Sequence, residues 1–178
     1  MTVRIGNLLL RLTAMVVLAS ACGKAPSNAS AGNGGSGDLG DACQLLDRED
    51  MERLHGAPVT MLHNIESEDR TTCEVDDAAT NQAFFYLEAT WKGGKAQAGN
   101  EGTASGIAAG VLGGGGVNLE PLTGAGAKAA DRAYYSDAAT PWVLKGDVLL
   151  RFRMAGLTQD QKSANFVPLA RKALDRLP

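Results

Sequence analysis

The chain has 178 residues, and its 17 basic and 20 acidic residues give it a formal net charge of −3. A mildly acidic chain without clustered Lys and Arg lacks the positive footprint of a nucleic-acid-binding protein and the polybasic patch that attracts anionic membranes. Aromatic residues make up 5% of the chain and glycine occurs 22 times, so we expect a domain with a modest core.

The first 21 residues have the pattern of a secretory signal. Arg4 and Arg11 are the basic residues of this region, and no acidic residue occurs before Asp38. The apolar stretch at residues 12–21 is about ten residues long, too short to cross a bilayer as a helix. It ends in Leu-Ala-Ser-Ala-Cys, so small residues stand directly before Cys22. The alternative is an ordinary cleaved signal followed by an incidental cysteine.

The Leu-Ala-Ser-Ala-Cys run resembles a bacterial lipobox. The resemblance implies that the chain is cut before Cys22, that this cysteine carries a diacylglycerol, and that its new amino group is acylated, for example with palmitate. Several acyl chains, at about 0.8 kcal/mol per buried methylene, would hold the protein on a membrane permanently. Gly23 after the cysteine implies the periplasmic face of the outer membrane, with the outer face of the cell membrane as the alternative.

Residues 22–40 predict a flexible tether, because a segment of Gly, Ser, Asn and Ala buries too little apolar surface to offset its ordering entropy. Residues 41–178 predict a single α+β domain. With Cys22 lipidated, Cys43 and Cys73 remain in an oxidising envelope and predict a disulfide. A redox pair or a metal site fits less well, because Cys-x-x-Cys is absent and the histidines lack ligand spacing.

The first half of the domain predicts a short helix around residues 43–46, a second helix and three strands. The second helix begins at Asp47 as N-cap and ends at Gly56, a left-handed C-cap position. Strands are predicted at residues 59–65, 71–75 and 82–91; the last has the period-two alternation of a half-buried strand.

Residues 93–126 form a Gly-rich segment, which predicts a weak helix followed by a mobile loop because each glycine disfavours a helix by about 1 kcal/mol. Glycines recur every four residues from Gly102 to Gly114. This spacing leaves open a membrane-inserting glycine zipper, which would make the chain a structural membrane-associated protein.

The second half predicts strands at residues 132–135, 142–145 and 148–154, the last two joined by a tight turn at Gly146-Asp147. Arg151 and Arg153 are predicted to face away from the core.

The chain ends in an amphipathic helix. Thr158 and Gln161 form a capping box at its start. Pro168 lies inside the helical pattern and predicts either a kink there or a helix that begins near Phe166.

Two stretches together resemble LpqN-like and related lipoprotein domains of unknown function. They are Cys43-Gln-Leu-Leu with the following acidic residues, Leu54-His-Gly56, Val59 and Cys73, and then Ala133-Tyr134-Tyr135, Leu144-Lys-Gly-Asp147 and the terminal helix. The resemblance implies a PsbP-like sandwich, in which helices flank an antiparallel sheet. This family supplies no catalytic residues.

Catalytic motifs are missing from the sequence, since neither a Gly-x-Ser-x-Gly elbow nor a phosphate-binding P-loop occurs. His55 is interpreted as a helix-end residue and His63 as a strand residue. The sequence therefore predicts no catalytic residue, metal site or cofactor.

Four aromatic side chains are candidate ligand contacts that could stack on a sugar or acyl group, although filling the core is the favoured interpretation: Trp91, Tyr134, Tyr135 and Trp142. The predicted function is a non-enzymatic envelope lipoprotein that binds an envelope protein, lipid or glycan and no nucleic acid. An envelope enzyme with an unrecognised site is the alternative.

Overall fold

The structure, a computed structural model, describes residues 40–104, 112–113, 117–124, 126, 128–136 and 139–178. The predicted signal, Cys22 and the tether up to residue 39 lie outside the described residues. So do residues 105–111, 114–116 and 125 of the Gly-rich segment.

Seven strands form one sheet in the order β1-β2-β3-β7-β6-β5-β4. They are β1 Val59–Ser67, β2 Arg70–Asp77, β3 Ala83–Thr90, β4 Leu112–Gly113, β5 Arg132–Tyr135, β6 Trp142–Lys145 and β7 Val148–Arg153. Neighbouring strands are antiparallel except β4, a two-residue strand that pairs in parallel with β5.

A 3₁₀ helix and four α-helices accompany the sheet. They are the 3₁₀ helix Ala42–Leu45, α1 Arg48–His55, α2 Gly94–Ala104, α3 Glu120–Thr123 and α4 Gln159–Asp175. The predicted α+β class, with an antiparallel sheet and flanking helices, is confirmed.

The main core lies on one face of the sheet, beneath α4. Phe152 of β7 lies at its centre, with ring centroids 6.5 Å from Phe85 of β3 and 5.5 Å from Phe166 of α4. All three side chains are fully buried. The alternating apolar residues of β3 and β7 therefore hold the terminal helix against the sheet.

The predicted disulfide between Cys43 and Cys73 is confirmed, and it joins the 3₁₀ helix to β2. The Cys43 N–H donates to the Asp41 carboxylate at 2.8 Å, and His63 of β1 contacts the same carboxylate at 2.7 Å. The start of the described chain is thus fastened to the first two strands.

Helix α2 lies across β6 and β7 on the opposite face of the sheet. Ala98 forms a small apolar cluster there with Leu149 and other side chains of β6 and β7. The Asp147 carboxylate accepts the N–H groups of Gly93 and Lys95, at 2.7 and 3.2 Å, and so holds the first turn of α2 beside the β6–β7 turn. A side chain at Gly94 would stand 2.5 Å from the Asp147 carbonyl oxygen, so the close approach requires glycine.

The capping box of Thr158 and Gln161 is confirmed: Thr158 is the N-cap, and Gln161 lies in the first turn of α4. The alternative start near Phe166 is wrong, because the helix begins at Gln159 and contains Pro168 in its interior. A proline inside a helix costs about 3 kcal/mol. The cap on one side and burial of Phe166 and Ala170 around the proline offset this cost.

Candidate functional site

The four aromatic candidates lie in different surroundings. Tyr134 and Trp142 stack with ring centroids 5.8 Å apart beside α2, where Trp142 is buried. Tyr135 is fully buried in the main core, 5.4 Å from Phe166. Trp91 donates from its indole Nε1 to the Thr71 hydroxyl at 2.8 Å. Of the four candidates, only Tyr134 and Trp142 are in contact with each other, and of these two rings only that of Tyr134 is partly exposed.

A polar groove of about 240 Å³ lies on the open part of the sheet face that carries α2. It is lined by side chains of β1, β2, β3 and β7 and by one residue before β6: Asn64, Glu66, Arg70, Thr72, Glu74, Tyr86, Glu88, Thr140, Arg151 and Arg153. Sequence reasoning placed Arg151 and Arg153 away from the core but did not identify this groove.

Strand alternation and register build the groove. Side chains two residues apart share one face of a strand, so each strand presents its polar positions here. Glu74 of β2 stands opposite Tyr86 of β3, which stands opposite Arg153 of β7. The next row places Glu88 of β3 opposite Arg151 of β7.

Glu88 pairs with two arginines in the middle of the groove. The Arg151 Nη1 donates to the Glu88 Oε1 at 2.5 Å, and the Arg70 Nε lies 3.8 Å from the same oxygen. Arg151 also donates from Nη2 to the Gln97 Oε1 of α2 at 3.1 Å. Arg151 is therefore held in place by β3 and α2, and one carboxylate serves two guanidinium groups.

Arg153 keeps hydrogen-bonding capacity for a ligand. The Nε of Arg70 makes no hydrogen bond, but it is buried beside Glu88 and is not exposed to a ligand. The guanidinium of Arg153 lies over the Tyr86 ring, 5.5 Å from its centroid, and forms no ion pair with any residue that the structure describes. A guanidinium carries five N–H donors in a planar fork, which suits carboxylate or phosphate oxygens.

The two histidines connect elements of the fold. His55 Nε2 contacts the Asp77 carboxylate at 2.6 Å, and its ring stacks on Phe84 with centroids 4.2 Å apart. His63 contacts Asp41. Within the described ranges, no Ser, Thr or Cys side chain hydrogen-bonds to either ring. Each pair therefore joins two parts of the fold: α1 to β2, and the segment before the 3₁₀ helix to β1.

Asp77 predicts a specific pH dependence of stability. Its pKa is lowered from 3.8 to about 2, first by His55 and then by the N–H groups of Thr80 and Ala79. A lowered folded-state pKa gives stability that is present above the unfolded pKa and is lost as pH falls from about 4 towards 2. We expect the urea midpoint of the wild-type protein to decrease as the pH is lowered through this window, and that of Asp77→Asn to decrease less.

The matched control is Asp160→Asn, which removes an exposed carboxylate from the first turn of α4. It should keep the wild-type dependence on pH. Parallel pH profiles for the wild type and Asp77→Asn would contradict the assignment.

Two further properties concern the described residues alone. They contain no cluster of three or more His, Cys, Asp or Glu side chains placed to hold a metal ion. No helix among them combines the length and the apolar character that crossing a membrane requires.

No protein-family model matches the chain, and neither a curated protein sequence nor a solved structure matches it significantly.

Proposed function

We propose that this chain is a lipid-anchored, non-enzymatic protein of the bacterial cell envelope that binds a small polar ligand in the polar groove. The single observation that carries the binding role is the groove itself, a recess on the sheet face where the guanidinium of Arg153 forms no ion pair with a described residue. The lipobox-like run ending at Cys22 supports the anchor. The disulfide between Cys43 and Cys73 agrees with an oxidising compartment.

The proposal includes a relationship to LpqN-like domains and their PsbP-like sandwich. The sequence runs around Cys43 and Tyr134 support this relationship, as does an antiparallel sheet with α4 packed on one face. Such a sheet leaves part of its other face for binding. The mixed charge of the groove favours a small ligand over a polyanion, because three glutamates stand among three arginines.

The anchor is tested by metabolic labelling of bacterial cells with an alkyne analogue of palmitate. We expect label on the wild-type protein, none on Cys22→Ser, and wild-type label on the control Ser27→Ala. The wild-type protein should stay with the membranes after a high-salt wash, because acyl chains are not displaced by salt. An unlabelled wild-type protein would remove the anchor from the proposal.

The binding role is tested by thermal shift of the full chain purified in a non-ionic detergent. The panel is inorganic phosphate, citrate, glycine betaine, triglycine, spermidine and glucose. We expect at least one compound to raise the melting temperature of the wild type but not of Arg153→Gln, since a ligand stabilises the state that binds it. Arg171→Gln on α4, outside the groove, should respond as the wild type. A panel without any shift, or shifts equal in all three proteins, would contradict binding in the groove.

A further inference from the structure

We infer that the polar groove accepts a zwitterion of the size of a short peptide, with its carboxylate at Arg153 and its ammonium group at Glu74. The inference rests on the proposed binding function and names the class of ligand. It is argued from the cross-strand row formed by Glu74, Tyr86 and Arg153.

The row places opposite charges on either side of an aromatic ring. Glu74 and Arg153 are both direct cross-strand neighbours of Tyr86. Adjacent strands lie about 4.8 Å apart, so the two charged residues start from backbones separated by about 10 Å. An extended peptide advances about 3.4 Å per residue, and the termini of two or three residues therefore span a similar distance.

Glu74 and Arg153 are two of the charges that the groove leaves available, and the third, Glu66, is exposed on the edge strand β1, one strand farther from Arg153 than Glu74. Glu88 is occupied by Arg151 and Arg70. Arg153 has no carboxylate partner in the described part of the chain, and Glu74 has only the Asn64 amide, at 3.4 Å. A carboxylate at Arg153 would gain charge-assisted hydrogen bonds, and an ammonium group at Glu74 would gain the complementary ion pair.

Single-charge ligands fit this row less well. An anion bound at Arg153 has the carboxylate of Glu74 in the same cross-strand row, whereas a cation bound at Glu74 has the guanidinium of Arg153 there. A zwitterion meets an opposite charge at each end.

The experiment is isothermal titration calorimetry of the full chain in detergent with three probes. Triglycine carries both charges, N-acetyl-triglycine lacks the ammonium group, and triglycinamide lacks the carboxylate. We expect triglycine to bind at least tenfold more tightly than either blocked peptide.

Substitutions at the two ends should reproduce the chemical blocks. Glu74→Gln should lower the affinity for triglycine to the wild-type affinity for N-acetyl-triglycine, and it should leave the affinity for N-acetyl-triglycine unchanged. Arg153→Gln should lower the affinity for triglycine to the wild-type affinity for triglycinamide, and it should leave the affinity for triglycinamide unchanged. The controls Glu120→Gln and Arg171→Gln, which lie outside the groove, should bind all three probes as the wild type does. Circular dichroism melts establish that each variant is folded, and Arg153→Lys provides a second variant that retains the charge.

The outcomes separate the ligand class from the proposed function. If N-acetyl-triglycine binds as tightly as triglycine and Arg153→Gln removes both, the zwitterion is overturned and ligand binding in the groove stands. If all three peptides fail while another panel compound binds in an Arg153-dependent way, the zwitterion is again overturned alone. If neither the peptides nor the panel binds, both proposals fall.

Discussion

Replacing Cys43 and Cys73 together by alanine is expected to lower the free energy of unfolding by about 3–4 kcal/mol. The disulfide joins residues 30 apart in sequence, and closing a loop of that length removes about this much entropy from the unfolded chain in the simple chain model. Cys73 is fully buried, so truncating it adds a smaller packing loss. The measurement is the urea midpoint, followed by circular dichroism.

A reductant provides the control for this experiment. Dithiothreitol should destabilise the wild-type protein by a similar amount and should leave the double alanine variant unchanged. An unchanged urea midpoint in the double variant would contradict a stabilising role for the bond.

Phe152→Ala is expected to cost about 3–5 kcal/mol, the usual range for removing a fully buried aromatic ring. The ring contacts Phe85 on the neighbouring strand and Phe166 on α4, so its loss leaves a cavity between the sheet and the terminal helix. Urea unfolding measures the effect. Ile65→Ala serves as the control because this side chain is 58% exposed, and it should change stability by less than about 0.5 kcal/mol. Similar losses for both variants would contradict the assignment of Phe152 to the core.

Turns and helix ends could be predicted from the sequence, because they depend on residues that are close together along the chain. The turn at Gly146-Asp147 is confirmed, and Gly146 has the left-handed φ of 59° that favours glycine there. The left-handed cap at Gly56 is confirmed at a φ of 82°. Asp47 stands at the N-cap of α1, but its carboxylate contacts Arg176 at 2.6 Å instead of capping the helix. The position followed from neighbouring residues, whereas the partner came from the far end of the chain.

Long-range packing explains the departures from alternation. The alternation of β3 predicts Phe84 on the outer side, together with Tyr86 and Glu88. Phe84 is instead buried, because the pairing of β2 and β3 shifts register between Val75 and Asp76 and His55 stacks on the ring. His55 was interpreted from its place at the end of α1. Its contact with Asp77 depends on how α1 returns to the sheet, which the sequence pattern does not contain.

The polar groove could be predicted only in part. Alternation places Arg151 and Arg153 on the outer face of β7 and Glu88 on the outer face of β3. Their meeting depends on β7 inserting beside β3 and not following β5 and β6 at the edge of the sheet. This order arises from pairing between residues about sixty positions apart in the sequence. Periodicity within one strand carries no information about such a partner.

The bond between Cys43 and Cys73 also determines how the fold responds to tension. A pull on the chain ahead of Gly40 would otherwise peel away the 3₁₀ helix, α1 and β1 in turn. With the covalent link in place, the load passes from Cys43 directly into β2, and about 100 Å of contour length between the two cysteines stays out of reach. Under reducing conditions the same pull would release that length, so mechanical resistance at the amino-terminal side depends on the redox state of the surroundings.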